Sequence, residues 1–284
     1  MNVKWLDLDT APHLPALYAH AATKRSITGD TLPETGLRCW VAVQAKPLQA
    51  FRAVCDVPDS PLLPPTYPHV LAFGLQMQLL SDPHFPFPLL GLIHLSNQIR
   101  VLRPMGGVTQ LRIGVYAHNL QKHAKGATFD VVTQVDDLLG PLWEAQSTLL
   151  CKGVEMPGEV PEHAASVASG MSELTRWYAA NDIGRRYAKV SGDYNPIHLS
   201  TASAKLFGLP SAIAHGLWLK ARTLAALGSH LPAANIEITA DFKKPVRLPS
   251  EVILLTSAAG SSGDFQLNGH GDLVHMTGRW RPLG

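Results

Sequence analysis

Ala214-His-Gly-Leu-Trp-Leu-Lys-Ala-Arg-Thr-Leu-Ala-Ala-Leu-Gly228 is followed, after a short connection, by Ile236-Glu-Ile-Thr-Ala-Asp-Phe242. The first stretch has helical length and is apolar on most sides, through Leu217, Trp218, Leu219, Ala221, Leu224, Ala225, Ala226 and Leu227. A helix of that kind has to be buried, and Gly228 is a natural stop. In the second stretch Ile236, Ile238, Ala240 and Phe242 alternate with polar residues, which is the period of a half-buried strand. Strand-like runs continue near 251–257, 264–269 and 272–280, with Gly260-Ser-Ser-Gly263 as a turn. Connections this short do not allow crossovers, so the strands pair antiparallel.

Upstream, the same order occurs once before. Pro64-Pro65-Thr66-Tyr67-Pro68 reads as loop, His69 to about Leu80 as an apolar helix, and Asp82-Pro83 as its end. Strand-like runs follow at 92–101, 110–118, 127–135 and 142–150. Within them Leu111, Ile113, Val115 and Ala117 alternate with Arg112, Gly114, Tyr116 and His118. Arg103-Pro104 echoes Lys244-Pro245, each after the first strand of its half. Small, turn-prone residues between about 151 and 176 read as a linker. The expectation is an α+β fold of two tandem units, 1–155 and 156–284, each a curved antiparallel sheet around one helix. The alternative is a single irregular α+β domain.

Composition agrees with two domains' worth of packed chain. The 284 residues are 46% hydrophobic and only 16% charged, with 23 Gly and 22 Pro. A core of that richness argues against disorder. A net charge of +2 is too small to suggest nucleic acid or an anionic membrane as partner. No apolar run reaches the ~18 residues of a membrane span, and Met1–Asp9 lacks the pattern of a secretory signal. Three widely spaced cysteines, Cys39, Cys55 and Cys151, suit buried thiols in a reducing, cytoplasmic setting.

One segment concentrates reactive groups: Tyr187-Ala-Lys-Val-Ser-Gly-Asp-Tyr-Asn-Pro-Ile-His-Leu199. Gly192 and Pro196 make it a folded loop that brings Asp193, Asn195 and His198 to one locus. Ser200 can cap a short helix at about 201–207. An imidazole beside a carboxylate suits proton transfer at neutral pH. For an arbitrary loop, an Asx-turn with a solvent-facing histidine is the favoured reading of the same residues.

The full pattern is more specific. Tyr187-x-x-Val190-Ser191-Gly192-Asp193-x-Asn195-Pro196-Ile197-His198, with Ala204, resembles the hydratase motif of the MaoC-like (R)-specific enoyl-CoA hydratases. The apolar-His-Gly segment expected downstream is present as Ile213-Ala214-His215-Gly216-Leu217. The duplicated layout, and the stretch from Phe85 to His94, resemble the two-hot-dog members of that family.

The resemblance implies a double hot-dog fold and a hydro-lyase. Its reaction would be hydration of (2E)-enoyl thioesters or dehydration of (3R)-3-hydroxyacyl thioesters, carried on coenzyme A or acyl carrier protein. Asp193 and His198 take the place of the catalytic pair. The backbone N–H of Gly216, at the start of the buried helix, is suited to an enolate-like oxygen, and glycine there would permit close approach of substrate. Asn195 would hold the loop or contact substrate, and His215 is either a helix-entry residue or a substrate contact. Lys243 and Lys244, with Arg247, and Arg185-Arg186 are candidates for thioester phosphates.

No metal, nucleotide or redox cofactor is implied, since no GxGxxG, P-loop or HxxxH spacing is present. Membrane insertion is not expected, and a monomer and a homodimer both fit. The first half lacks GDxNPxH and is expected to be silent, its 61–68 loop and Phe85–Pro88 shaping a tunnel for the acyl chain. Few charges suit a greasy interior for such a chain, or a large interface between the units. A hot-dog acyl thioesterase and a non-catalytic acyl-binding subunit are the alternative functions.

Overall fold

The computed structural model describes residues 3–21, 23–161 and 170–284. Part of the linker expected at 151–176 therefore lies outside the described residues. Chain order begins with β1 (Lys4–Asp7), α1 (Leu14–Ala21), β2 (Thr35–Ala42) and α2 (Ala45–Cys55). The first long helix is α3 (Tyr67–Ser81), followed by β3 (Ile93–Val101), β4 (Gln110–His123), β5 (Gly126–Asp137) and β6 (Gly140–Lys152). The second half runs β7 (Ser172–Ala179), α4 (Ile183–Ser191), α5 (Thr201–Lys205) and α6 (Gly216–Leu227). It closes with β8 (Ile236–Phe242), β9 (Ser250–Thr256), β10 (Gly263–Asn268) and β11 (Val274–Pro282).

All strands join one sheet in the order β1-β2-β4-β5-β6-β3-β8-β11-β10-β9-β7. Read from its outer side inward, the second half (β7-β9-β10-β11-β8) repeats the first (β2-β4-β5-β6-β3). The halves meet where β3 pairs antiparallel with β8, with Gln98 opposite Thr239. Each of these two stands five residues before its Arg103-Pro104 or Lys244-Pro245 echo. A local two-fold therefore passes through that pair, and the fold is the double hot-dog. Its core sits between each sheet half and its helix. Ile236, Ile238 and Ala240 are all 0% exposed, as alternation foretells.

Three local expectations change. α3 begins at Tyr67 rather than His69, with Pro68 in its first turn, where the missing N–H would have no helical partner anyway. Each half carries a strand ahead of its long helix, β2 and β7, that alternation does not reveal. β7 is an outer strand with largely exposed side chains, so it shows no apolar period. α4 is a helix where the reactive segment reads as loop: Ile183, Tyr187, Ala188 and Ser191 are buried at helical spacing.

The 61–68 loop and Phe85–Pro88 are packed structure. Arg52 donates to the carbonyls of Pro58, Ser60 and Leu62, and Trp143 Nε1 donates to Pro65 O at 2.8 Å. Phe85 and Phe87 are fully buried with Phe129, ring centroids 5.3 and 5.5 Å from it. These aromatic side chains fill the core of the first half.

Candidate active site

The reactive loop builds itself from local hydrogen bonds. Gly192, at φ 80, ends α4, and its N–H donates to Ala188 O at 2.9 Å. Ser191 Oγ donates to Tyr187 O at 2.8 Å and accepts from Asp193 N–H at 3.2 Å. Asp193 Oδ1 accepts from Asn195 N–H at 3.1 Å, and Asn195 Oδ1 from Ile197 N–H at 3.4 Å. A single 3-10 turn, Pro196–His198, follows. Ser200 then caps α5 by accepting from Ser203 N–H, as expected. Asn195 thus holds the loop.

Tertiary contacts aim the side chains. Ile213 N–H donates to Ile197 O, and Ala214 N–H to Val246 O, so the loop, the 212–214 segment and the chain after β8 are zipped together. His198 Nδ1 lies 2.8 Å from Ile213 O. A carbonyl only accepts, so Nδ1 carries the proton and Nε2 keeps its lone pair. His215 Nε2 likewise donates to Asp193 O at 3.0 Å, leaving Nδ1 buried and unpartnered. The imidazoles of His198 and His215 stack with centroids 3.7 Å apart and planes 27° apart. Tyr187 covers His215 from the core at 4.9 Å.

Burial dominates the electrostatics. It pushes His198 below the usual imidazole range, against the pull of the Asp193 carboxylate and the Ile213 carbonyl. It pushes His215 well below, with the His198 ring adding to the effect. Both rings are neutral at neutral pH. Asp193 is part-exposed (side chain 31%) while His215 is at 3%. A carboxylate oxygen of Asp193 and a ring nitrogen from each of the two histidines lie within 4.8 Å of one another. That spacing could accommodate a metal ion, but the inward His215 nitrogen is committed to Asp193 O and the rings stack instead of fanning around a point. The donor set fits proton transfer better than metal binding.

Gly216 is the first residue of α6, and His215, at the cap, bonds none of the free N–H groups through its side chain. The N–H groups of that first turn are donors at the positive end of the helix. A Cβ at Gly216 would meet the Phe242 ring at 3.0 Å, so glycine here also makes room for β8. Lys243, Lys244 and Arg247 are exposed, on the chain that pairs with 212–214 beside the site. Lys243 Nζ is 3.3 Å from Asp241. Arg185 Nη1 donates to Leu199 O, which ties α4 to the loop.

The interior beside the site is not uniformly greasy. Lys220, on α6, is fully buried and donates to Asn97 O, Asn97 Oδ1 and Ile238 O at 2.9, 2.7 and 3.1 Å. Asn97 lies on β3 and Ile238 on β8, so this amino group stitches the halves, and burial pushes it well below the usual lysine range. His69 Nδ1 meets Gln76 Nε2 at 3.3 Å, and Gln76 donates to Thr133 at 2.9 Å. Burial lowers His69 to about 3 and His94 to about 4, and the Asp193 charge opposes both shifts. A lysine placed between Leu219 and Ala221 on a helix read as buried was the available signal for Lys220. Another residue the motif omits, Gly184, lies against His198: a Cβ there would fall 1.8 Å from His198 O.

The MaoC-like domain family matches residues 158–276. The chain is 32% identical over 263 residues to 3-hydroxyacyl-thioester dehydratase X of Mycobacterium tuberculosis, covering 91% of this chain and 90% of that one. It is 35% identical over 82 residues to 3-hydroxybutyryl-CoA dehydratase of Methylorubrum extorquens, covering 28% of this chain and 52% of that one. The crystal structure of HtdX from Mycobacterium tuberculosis superposes with a TM-score of 0.74 at 31% identity, covering 87% of this chain and all of that one. A MaoC-like dehydratase from Phytophthora capsici shares the fold, with a TM-score of 0.72 at 20% identity over 87% of this chain and 95% of that one.

Proposed function

The chain belongs to the MaoC-like dehydratase family, a hydro-lyase family, and on that premise we propose that Asp193 and His198 add water to (2E)-enoyl thioesters and remove it from (3R)-3-hydroxyacyl thioesters. The observation that carries this reading is the state of His198. Its Nδ1–H is anchored on Ile213 O, its ring is neutral, and its Nε2 lone pair is free beside the Asp193 carboxylate.

In the hydration direction, one water supplies both new groups. Asp193 and His198 Nε2 orient it. Its oxygen bonds to Cβ as its proton passes to Nε2, and the Cα–Cβ π electrons move to the thioester oxygen. The Gly216 N–H, at the start of α6, donates to that oxygen as its charge grows. Collapse of the enolate takes the proton from Nε2 to Cα, and His198 returns to neutral. Dehydration runs the same steps backwards. The chemistry calls on no redox or nucleotide cofactor.

Coenzyme A or carrier-protein phosphates fit Lys244 and Arg247, which are exposed beside the site. Lys243 contributes less, because its charge faces Asp241. The first half supplies the wall that closes the site, with α3 presenting His69 toward the Asp193 region.

The test is loss of enoyl absorbance from crotonyl-CoA and longer enoyl-CoA thioesters. Asp193→Asn and His198→Ala should each lower kcat by about 10²- to 10⁴-fold. Full activity in either variant would remove the assignment. Release of free thiol in step with loss of the enoyl signal would instead indicate a thioesterase.

A further inference from the structure

The short helix α1 belongs to the half without the motif, yet it lies on the reactive loop. Its approach uses two glycines. Pro12 O sits 3.3 Å from where Gly74 would carry a Cβ, and a Leu14 methyl lies 2.6 Å from the same point on Gly192. One turn further on, the Tyr18 hydroxyl donates to Gly192 O at 2.9 Å and accepts from Tyr194 N–H at 2.7 Å. The Tyr18 and Tyr194 rings meet edge to face, 6.3 Å apart at 89°. Burial and the Asp193 charge both raise the Tyr18 phenol, so it stays protonated and remains a donor.

The two groups that Tyr18 bridges flank Asp193 on either side. Asp193 N–H donates to Ser191 Oγ and Asp193 Oδ1 accepts from Asn195 N–H, which holds Asp193 from within the loop. They leave the Gly192 carbonyl and the Tyr194 N–H in a tight turn, joined to each other at 3.2 Å. A left-handed glycine before it and an exposed residue after it are a weak frame for a carboxylate that must sit within tenths of an ångström of its place.

We propose that Tyr18 is a positioning residue for Asp193. Its hydroxyl locks the turn that carries the carboxylate, so the half that lacks the motif completes the site of the half that has it. This rests on the hydratase reading. Tyr18 itself touches neither substrate nor the reacting atoms.

Tyr18→Phe keeps the ring and removes the bridge. On crotonyl-CoA, kcat should fall about 10- to 100-fold while KM stays within about twofold. Amide hydrogen exchange in the 190–199 segment should quicken, with α3 and α6 unchanged and the melting temperature held. Unchanged kcat, a rise in KM alone, or faster exchange throughout the protein would each overturn the proposal. If the wild-type protein hydrates no enoyl thioester, the hydratase reading fails. Exchange then decides the present proposal by itself, and an unaltered 190–199 segment sinks it.

Discussion

His215 lies face to face on His198, their ring centroids 3.7 Å apart, and each ring is anchored to a backbone carbonyl through one nitrogen. The stack keeps water from one face of His198 and so maintains the burial that keeps it neutral. The wild-type kcat/KM should therefore hold level from about pH 8 through 6.5 and fall only at lower pH. In His215→Ala, water reaches the ring and the acid limb should move up toward the ordinary imidazole value, with a lower kcat. Superimposable pH profiles would mean that the stack does not set the ionisation of His198.

Five neutral buried histidines make folding sensitive to mild acid. His69, His94, His198, His215 and His275 all have folded values below 6.5, the first two at about 3 and about 4. Above about pH 6.5 both the folded and unfolded chains carry neutral rings, and nothing is lost. Below it the unfolded chain alone takes up protons, so stability falls by up to about 1.4 kcal/mol per pH unit for each histidine. Asp7 and Asp137, lowered from 3.8, act only at more acid pH. Melting should drop steadily between about pH 6.5 and 4.5; a flat melting temperature across that window would contradict it.

Gly184 carries a role that the motif does not mark. A methyl group there would overlap His198 O, and both are backbone positions with little room to yield. Gly184→Ala should cost about 1–3 kcal/mol of stability and shift the loop, lowering kcat more than it raises KM. Wild-type melting and kinetics together would refute the contact.

Lys220 tests whether the seam between the halves depends on its amino group. Lys220→Met keeps the stem and leaves the oxygens of Asn97 and Ile238 without their donor. The expected loss is about 2–3 kcal/mol, or roughly 5–10 °C in melting temperature. A change under about 1 °C would show that the oxygens find other donors.

If Lys244 and Arg247 meet substrate phosphates, replacing both by alanine should raise KM for crotonyl-CoA about fivefold, equivalent to roughly 1 kcal/mol. The kcat should hold, and added salt should erase the difference. A pantetheine thioester without the nucleotide phosphates should be unaffected. An equal effect on both substrates would point to a structural role.

Much of this was legible from residue order. The alternation of Ile236, Ile238 and Ala240 and the apolar stripes of the two long helices express local periodicity, and they recur as buried faces. The loop from Ser191 to Ser200 was legible for another reason: its bonds run between residues two to four apart, so the residue types alone specify it. β7 was not, because an outer strand with little buried surface shows no alternation. The packing reason for glycine at position 216 was equally hidden, since Phe242 fills that space from another strand.

The sequence by itself determined two apolar helices, their following strands and one self-folding reactive loop, because each depends on short-range periodicity or side-chain-to-backbone bonds. Only the tertiary structure decided what surrounds that loop. Tyr18 reaches it from the other half, Gly184 packs against His198 O from the start of α4, His215 stacks on His198, and Lys220 ties α6 to the seam made by β3 and β8. Contacts of that kind are set by how the two halves of one sheet and their helices close on one another. No local pattern encodes them, and they are what keep His198 neutral and Asp193 in place.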